Sequence, residues 1–133
     1  MSLINRNTDY AIRALIWIAK KDKRSKLFSV SELNRCLKIN KPFLRKILQV
    51  LVKKRILYSV KGVKGGFRLA LSPEKISLLD LIKIFQGKIE FTRCLLNKKV
   101  CSCIRSCRLN KRIKKIEKYV AKELDNITIK NLI

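Results

Sequence analysis

Three of the four glycines in this 133-residue chain lie within five residues, Gly62-Val63-Lys64-Gly65-Gly66. Glycine reaches backbone conformations closed to other residues, so the cluster marks one tight, φ-permissive turn. Its flanks, Leu57–Lys61 and Phe67–Leu71, are short β-like runs, and the whole reads as a β-hairpin. What precedes it is helical. Ala11, Ala14, Leu15, Ile18 and Ala19 share one face of a first helix, expected to start after Asn7 or Thr8 and to end in the basic turn Lys20–Lys26. Ser29 and Glu32 have capping-box spacing and open a short second helix to about Leu37. Asn40 is expected to cap a third helix, with Pro42 in its first turn, where a missing N–H does no harm. Leu44, Ile47, Leu48 and Leu51 form its apolar stripe, and Lys41, Arg45, Lys46, Gln49, Lys53 and Lys54 face away from it.

Three helices, the third with a basic outer face, followed by a glycine-rich hairpin, is the order of a winged helix-turn-helix. The expected fold is mainly α: a winged helix-turn-helix domain over 1–75 with a β-hairpin wing, then a long C-terminal dimerisation helix. Residues 76–133 hold the rest. A fourth helix follows Ser77, with Leu78, Leu79, Leu81, Ile82 and Phe85 apolar, and Gly87 ends it. A cysteine-rich loop spans 91–107, and a long helix spans 108–125. That helix is a charged rod with one narrow apolar seam: Leu109, Ile113, Ile116, Val120 and Leu124. Such a seam needs a partner. Packing on its own domain is one solution, and pairing of Leu109, Ile113, Ile116 and Val120 with a second subunit is the expected one. A short helix capped by Thr128 is expected to close the chain.

Charge narrows the function. Lys and Arg number 33 against 9 Asp and Glu, a formal net charge of +24, and there is no His. Without His, no Ser/His/Asp or Cys/His catalytic arrangement and no imidazole metal site can form. Nine scattered carboxylates argue against a paired-acid hydrolase, so no enzyme and no small-molecule substrate are expected. A strongly cationic small chain favours a polyanion such as nucleic acid, although a lysine-rich composition accounts for part of the excess. No apolar run approaches the roughly 18 residues of a membrane span. The opening Met1–Arg6 lacks the features of a signal peptide, so a cytoplasmic protein with no membrane partner is expected.

If the third helix enters a major groove, its N-terminal side chains reach base edges. These are Asn40, Lys41, Phe43, Arg45 and Lys46; Arg45 can pair with guanine through two hydrogen bonds, and Phe43 can meet a thymine methyl. The wing offers Lys61, Lys64 and Arg68, with Lys61 placed to enter the adjacent minor groove. The competing reading is a solvated basic face and a surface hairpin, or a module that binds protein.

There are five cysteines. Cys36, among apolar residues of the second helix, reads as core. Cys94, Cys101 and Cys107 lie within 14 residues, with Cys103 inserted. Three thiolates so close can converge on one centre, and soft ligands select zinc, copper(I) or an iron–sulfur cluster. The gaps are wider than the short knuckles of zinc ribbons. They suit a larger object such as a cluster, while zinc and free or redox-active thiols stay open.

Taken together, these features resemble the Rrf-type winged-helix regulators of bacteria, the family of IscR and NsrR, over nearly the whole chain. The segment Thr8–Leu15 is similar to the family's opening helix and Val60–Leu69 to its wing. Cys94, Cys101 and Cys107 fall where its cluster-binding cysteines lie, and Cys107-Arg-Leu and Leu124–Ile129 are similar to the cluster-bearing members. The resemblance implies a homodimer on a two-fold double-stranded DNA operator. It further implies a 2Fe–2S or 4Fe–4S cluster that controls operator affinity in response to redox, nitric oxide or iron–sulfur status, with the protein expected to be a repressor. Two positions depart from the pattern. IscR-like members carry a His three residues after the third Cys, where this chain has Asn110, a poor ligand. NsrR-like members use an acid in the partner's first helix, and Asp9 stands there; Asp9 is the first choice for a fourth ligand and Cys103 the second. Asp9 also reads as an ordinary acid favouring the start of a helix. The second departure is Lys61, where the wing usually has Arg, which keeps the charge and loses the planar fork. The alternatives are a zinc-stabilised constitutive binder and a cluster-free regulator controlled by a partner protein.

Overall fold

The computed structural model describes residues 2–22, 26–91 and 106–133. Five helices and one antiparallel hairpin follow in the order α1 (Arg6–Lys21), α2 (Val30–Leu37), α3 (Lys41–Lys53), β1 (Leu57–Val60), β2 (Gly66–Leu69), α4 (Leu78–Gln86) and α5 (Arg108–Asn126). Single 3-10 turns lie at Pro73–Lys75 and Ile129–Leu132. The mainly helical winged helix-turn-helix expected from the sequence is the fold observed.

Most element boundaries follow from local chemistry. Both halves of the α2 capping box form: the Glu32 N–H donates to Ser29 Oγ at 3.1 Å, and the Ser29 N–H to Glu32 Oε2 at 2.9 Å. Ser77 caps α4 through the Asp80 N–H, and Gly87 ends it. Asn40 sits at the start of α3 but makes no side-chain capping bond, and Pro42 there leaves no orphan donor. The start of α1 departs from the sequence reading. Asn5, not Asn7 or Thr8, is the cap, accepting the Thr8 N–H at 2.9 Å. The reason is tertiary. Gln86 at the end of α4 accepts the Asn5 N–H at 2.8 Å through Oε1, the Thr8 hydroxyl lies 2.7 Å from the same oxygen, and Gln86 Nε2 donates to the Leu3 carbonyl. This pins the N-terminus and adds two or three residues to the helix.

One continuous core joins every helix. Leu15 and Ile18 of α1 meet Leu33, Leu44, Leu48, Leu51, Leu57, Leu81 and Ile82, all fully buried. Removing such side chains from water is the main favourable term in folding. Ile129 is also fully buried in this core and Leu124 nearly so. Beside Ile129 the chain pairs back on itself: the Leu78 N–H donates to the Ile127 carbonyl and the Ile129 N–H to the Ile76 carbonyl, each at 2.9 Å. The C-terminal end of α5 is thereby sewn to the helical domain.

Phe28 adds a single-residue third strand. It exchanges backbone hydrogen bonds with Phe67 at 2.9 and 2.8 Å, while its buried ring meets Trp17 edge to face at 5.1 Å. Gly66 makes this possible, because a Cβ there would lie 2.6 Å from the Phe28 carbonyl oxygen.

Candidate nucleic-acid interface and cysteine segment

The turn between α2 and α3 is short and fixed. Lys38 ends α2 in the left-handed region (φ 55°), Ile39 is buried, and Asn34 Nδ2 donates to the Ile39 carbonyl at 2.6 Å. At the other end of α3, Arg55 takes a second left-handed turn (φ 60°) and the Ile56 N–H returns to the Leu51 carbonyl at 2.9 Å. These two turns bolt α3 between α2 and the wing.

Burial of Leu44, Ile47, Leu48 and Leu51 turns the opposite face outward. Asn40, Lys41, Arg45 and Lys46 are exposed along it, as are Gln49 and Lys53. Phe43 is placed differently. It is half-buried, with its ring edge-on to Tyr10 at 5.6 Å, so it also braces α3 against α1. Arg6 of α1, overlooked in the sequence reading, lines the same cavity of about 430 Å³ as Asn40, Phe43 and Lys46. Only the helical phase of α1 could have pointed to it: Arg6 lies four residues before Tyr10, on one side of the helix.

The hairpin carries the remaining cations. Lys61 and Lys64 are exposed in the turn, with Val63 fully exposed between them. The Gly65 N–H closes the turn on the Gly62 carbonyl at 3.0 Å, and Gly62 takes φ 112°. Arg68 is half-buried, its guanidinium held 4.9 Å above the ring of Tyr58, its partner across the strands. Such a contact is worth about 0.5–1 kcal/mol at an exposed site and pre-sets the direction of Arg68. Among the described residues, no cation of α3 or the wing is in a salt bridge. The surface therefore offers uncompensated charge at the start of a protruding helix and along a protruding hairpin, the two features that phosphate contact and groove insertion require.

Of the candidate metal ligands, Cys94, Cys101 and Cys103 lie outside the described residues. Cys107 is half-buried at the N-cap of α5. Phe91, the last described residue before the cysteine segment, donates its N–H to Glu117 Oε1 of the same helix at 2.8 Å. Asp9 is in the first turn of α1, its carboxylate 3.0 Å from the Arg13 Nε in an open i, i+4 pair. Cys36 corrects the sequence reading. It is exposed, because α2 is short and buries only Leu33; the thiol side lines a shallow cavity with Trp17, Glu32 and Arg35.

The seam of α5 is divided. Leu124 is buried and Val120 packs against the core of its own domain. Toward the N-terminus, Ile113 is half-buried, while Ile116 and Leu109 are 50% and 68% exposed, with Tyr119 beside them at 67%. Among the described residues, no helix is long and apolar enough to cross a membrane.

Comparison with known proteins places this architecture. The profile of the Rrf2 family, described as iron-dependent transcriptional regulator, matches residues 4–133. An Aquifex aeolicus protein assigned as an HTH-type transcriptional regulator is 35% identical, covering 93% of this chain and 86% of that protein. The HTH-type transcriptional regulator NsrR of Shouchella clausii is 30% identical, covering 95% and 85%. The solved structure of CymR, the global cysteine regulator of B. subtilis, shares the fold with a TM-score of 0.79 at 22% identity, over 99% of this chain and 96% of that one. The chain belongs to the Rrf2 family: it is a DNA-binding transcriptional regulator, not an enzyme.

Proposed function

We propose that this regulator works as a homodimer on a two-fold duplex operator, as a repressor whose affinity is set by an iron–sulfur cluster held by Cys94, Cys101 and Cys107. The observation that carries the cluster reading is the donor set. Four thiols, those of Cys94, Cys101 and Cys107 with Cys103 inserted, lie between α4 and α5 in a chain without His, and the matching family is described as iron-dependent. Thiolates are the ligands iron–sulfur centres take. Cys107 fits this role by position, since it stands at the N-cap of α5, where the helix dipole favours negative charge. Asp9 of the partner subunit is the proposed fourth ligand, released from its open pair with Arg13, and Cys103 is the second choice. When bound, the cluster would supply a centre that oxidation or nitric oxide can alter.

The chain's own residues provide the linkage. α5 is fixed at its C-terminal end by Leu124 and the Ile76–Ile129 bond. α4 lies between α5 and α1, and Gln86 ties its end to Asn5 and Thr8, one residue before Asp9. A tie across the dimer at Asp9 and Cys107 therefore favours one setting of the two α3 helices over another, and ligand binding shifts affinity by that difference. Lys41, Arg45 and Lys46 meet base edges and phosphates, while Lys61, Lys64 and Arg68 flank them. The exposed Leu109 and Ile116 and the half-buried Ile113 are the pairing seam, continued by Val120.

Anaerobic purification with iron and sulfide counts tests the reading. Iron with matching acid-labile sulfide, lost when Cys94, Cys101 and Cys107 are all changed to Ala, supports it. Zinc without sulfide, or a metal content indifferent to the triple change, overturns it.

A further inference from the structure

α5 has a second face that neither the core nor the seam uses. Lys111, Lys115, Lys118 and Lys122 recur at spacings of 4, 3 and 4, and all four are exposed. At about 100° per residue they form one row on the side of the helix opposite Leu109, Ile113, Ile116 and Val120. The row stays in solvent whether or not the seam is paired. None of the four is in a salt bridge with a described residue. Of the helix's acids, Glu117 is turned to the Phe91 N–H, Glu123 lies on the seam side, and Asp125, three residues beyond Lys122, closes the row at its C-terminal end, so that no acid interrupts it between Lys111 and Lys122.

The arrangement works against the helix that carries it. Like charges three and four apart repel. The first turn has Arg108 and Lys111 and no acid, while Glu123 and Asp125 lie at the C-terminal end, the reverse of what the helix dipole favours. A row chosen for helix stability or solubility alone would interleave acids. Four lysines over about 16 Å of helix match instead a line of closely spaced negative charge, such as the backbone of a nucleic acid.

We infer that the Lys111–Lys122 row of α5 is a second DNA-backbone surface, which holds a duplex segment other than the one gripped by α3 and the wing. Contact is sequence-independent, because lysine reads phosphate as a point charge. A dimer would then carry two such rows and could bring separate stretches of duplex together.

The test uses the full chain, with a first duplex immobilised and saturated with protein and a labelled random-sequence duplex offered second. The wild type captures the second duplex. The variant with Lys111, Lys115, Lys118 and Lys122 all changed to Gln loses that capture and keeps the first. Its salt dependence on random duplex becomes shallower by up to about 3.6 per chain in log K against log salt. A charge-matched variant with Lys20, Lys75, Lys83 and Lys130 changed to Gln keeps both. Replacing the row with Arg also keeps both, which separates charge from folding, and helical circular dichroism confirms that α5 persists. No second-duplex capture by the wild type overturns the inference. So does equal loss in the two Gln variants, which would make the effect one of net charge alone.

Discussion

Replacing Gly66 with Ala should detach the wing from the core. The new Cβ would lie 2.6 Å from the Phe28 carbonyl oxygen and 2.8 Å from its carbon, both backbone atoms. Phe28 cannot yield easily, since its ring is buried and wedged against Trp17. Relief requires breaking the two backbone hydrogen bonds between Phe28 and Phe67. At about 1 kcal/mol net each, plus about 1–2 kcal/mol of residual strain, the loss is about 3–4 kcal/mol. With a urea slope of about 2 kcal/mol per molar, the midpoint should fall by about 1.5–2 M. Trp17 is the chain's one tryptophan, so its fluorescence reports the same contact that is disturbed. Gly62→Ala is the control. Its Cβ meets nothing within 4 Å, and only the left-handed φ opposes it, for about 1 kcal/mol. If Gly66→Ala is no worse than Gly62→Ala, the close approach at Phe28 is not what holds the wing.

Four further outcomes are expected. Lys38→Gly relieves the left-handed C-cap of α2 and should stabilise the fold by about 0.5–1 kcal/mol, read from the same urea midpoint; destabilisation would show that the Lys38 side chain matters more than its backbone. Thr8→Val removes the buried hydroxyl beside Gln86 Oε1, which keeps the Asn5 N–H, and should cost about 0.5–1.5 kcal/mol, whereas Thr8→Ser should cost little. Ile116→Glu should leave the folded chain intact and yield monomers in sedimentation, because the side chain is half exposed in the single subunit; an unchanged dimer would remove α5 from the interface. Arg45→Gln should weaken specific DNA binding by about 1–3 kcal/mol in a footprinting titration and leave stability within about 0.5 kcal/mol.

How far the sequence foretold this depends on whether a signal was local. The Ser29 capping box, the Leu44–Leu51 stripe and the glycine turn are set by neighbours within a few residues, and all formed as read. Asn5 was missed as a cap because Gln86, eighty-one positions away, decides it. The Phe28 bridge is a single residue with no period to detect. Cys36 looked apolar by company, yet α2 buries only the Leu33 line. The seam on α5 was read as one stripe. The structure divides it at Val120, because the Ser77–Thr128 pairing draws only the C-terminal turns against the domain. Phe43 shows the converse: its position in the reading half of α3 was evident, but its edge contact with Tyr10 depends on how α1 crosses α3.

The central claim is that the thiols between α4 and α5 and the reading face of α3 are energetically coupled. Affinity for operator duplex, found by selection from genomic fragments, should be measured by anisotropy at fixed salt on cluster-loaded and metal-free protein. A difference of tenfold or more, about 1.4 kcal/mol of coupling, that disappears when Cys94, Cys101 and Cys107 are replaced by Ala is the predicted result. Equal affinity for the two preparations would contradict it.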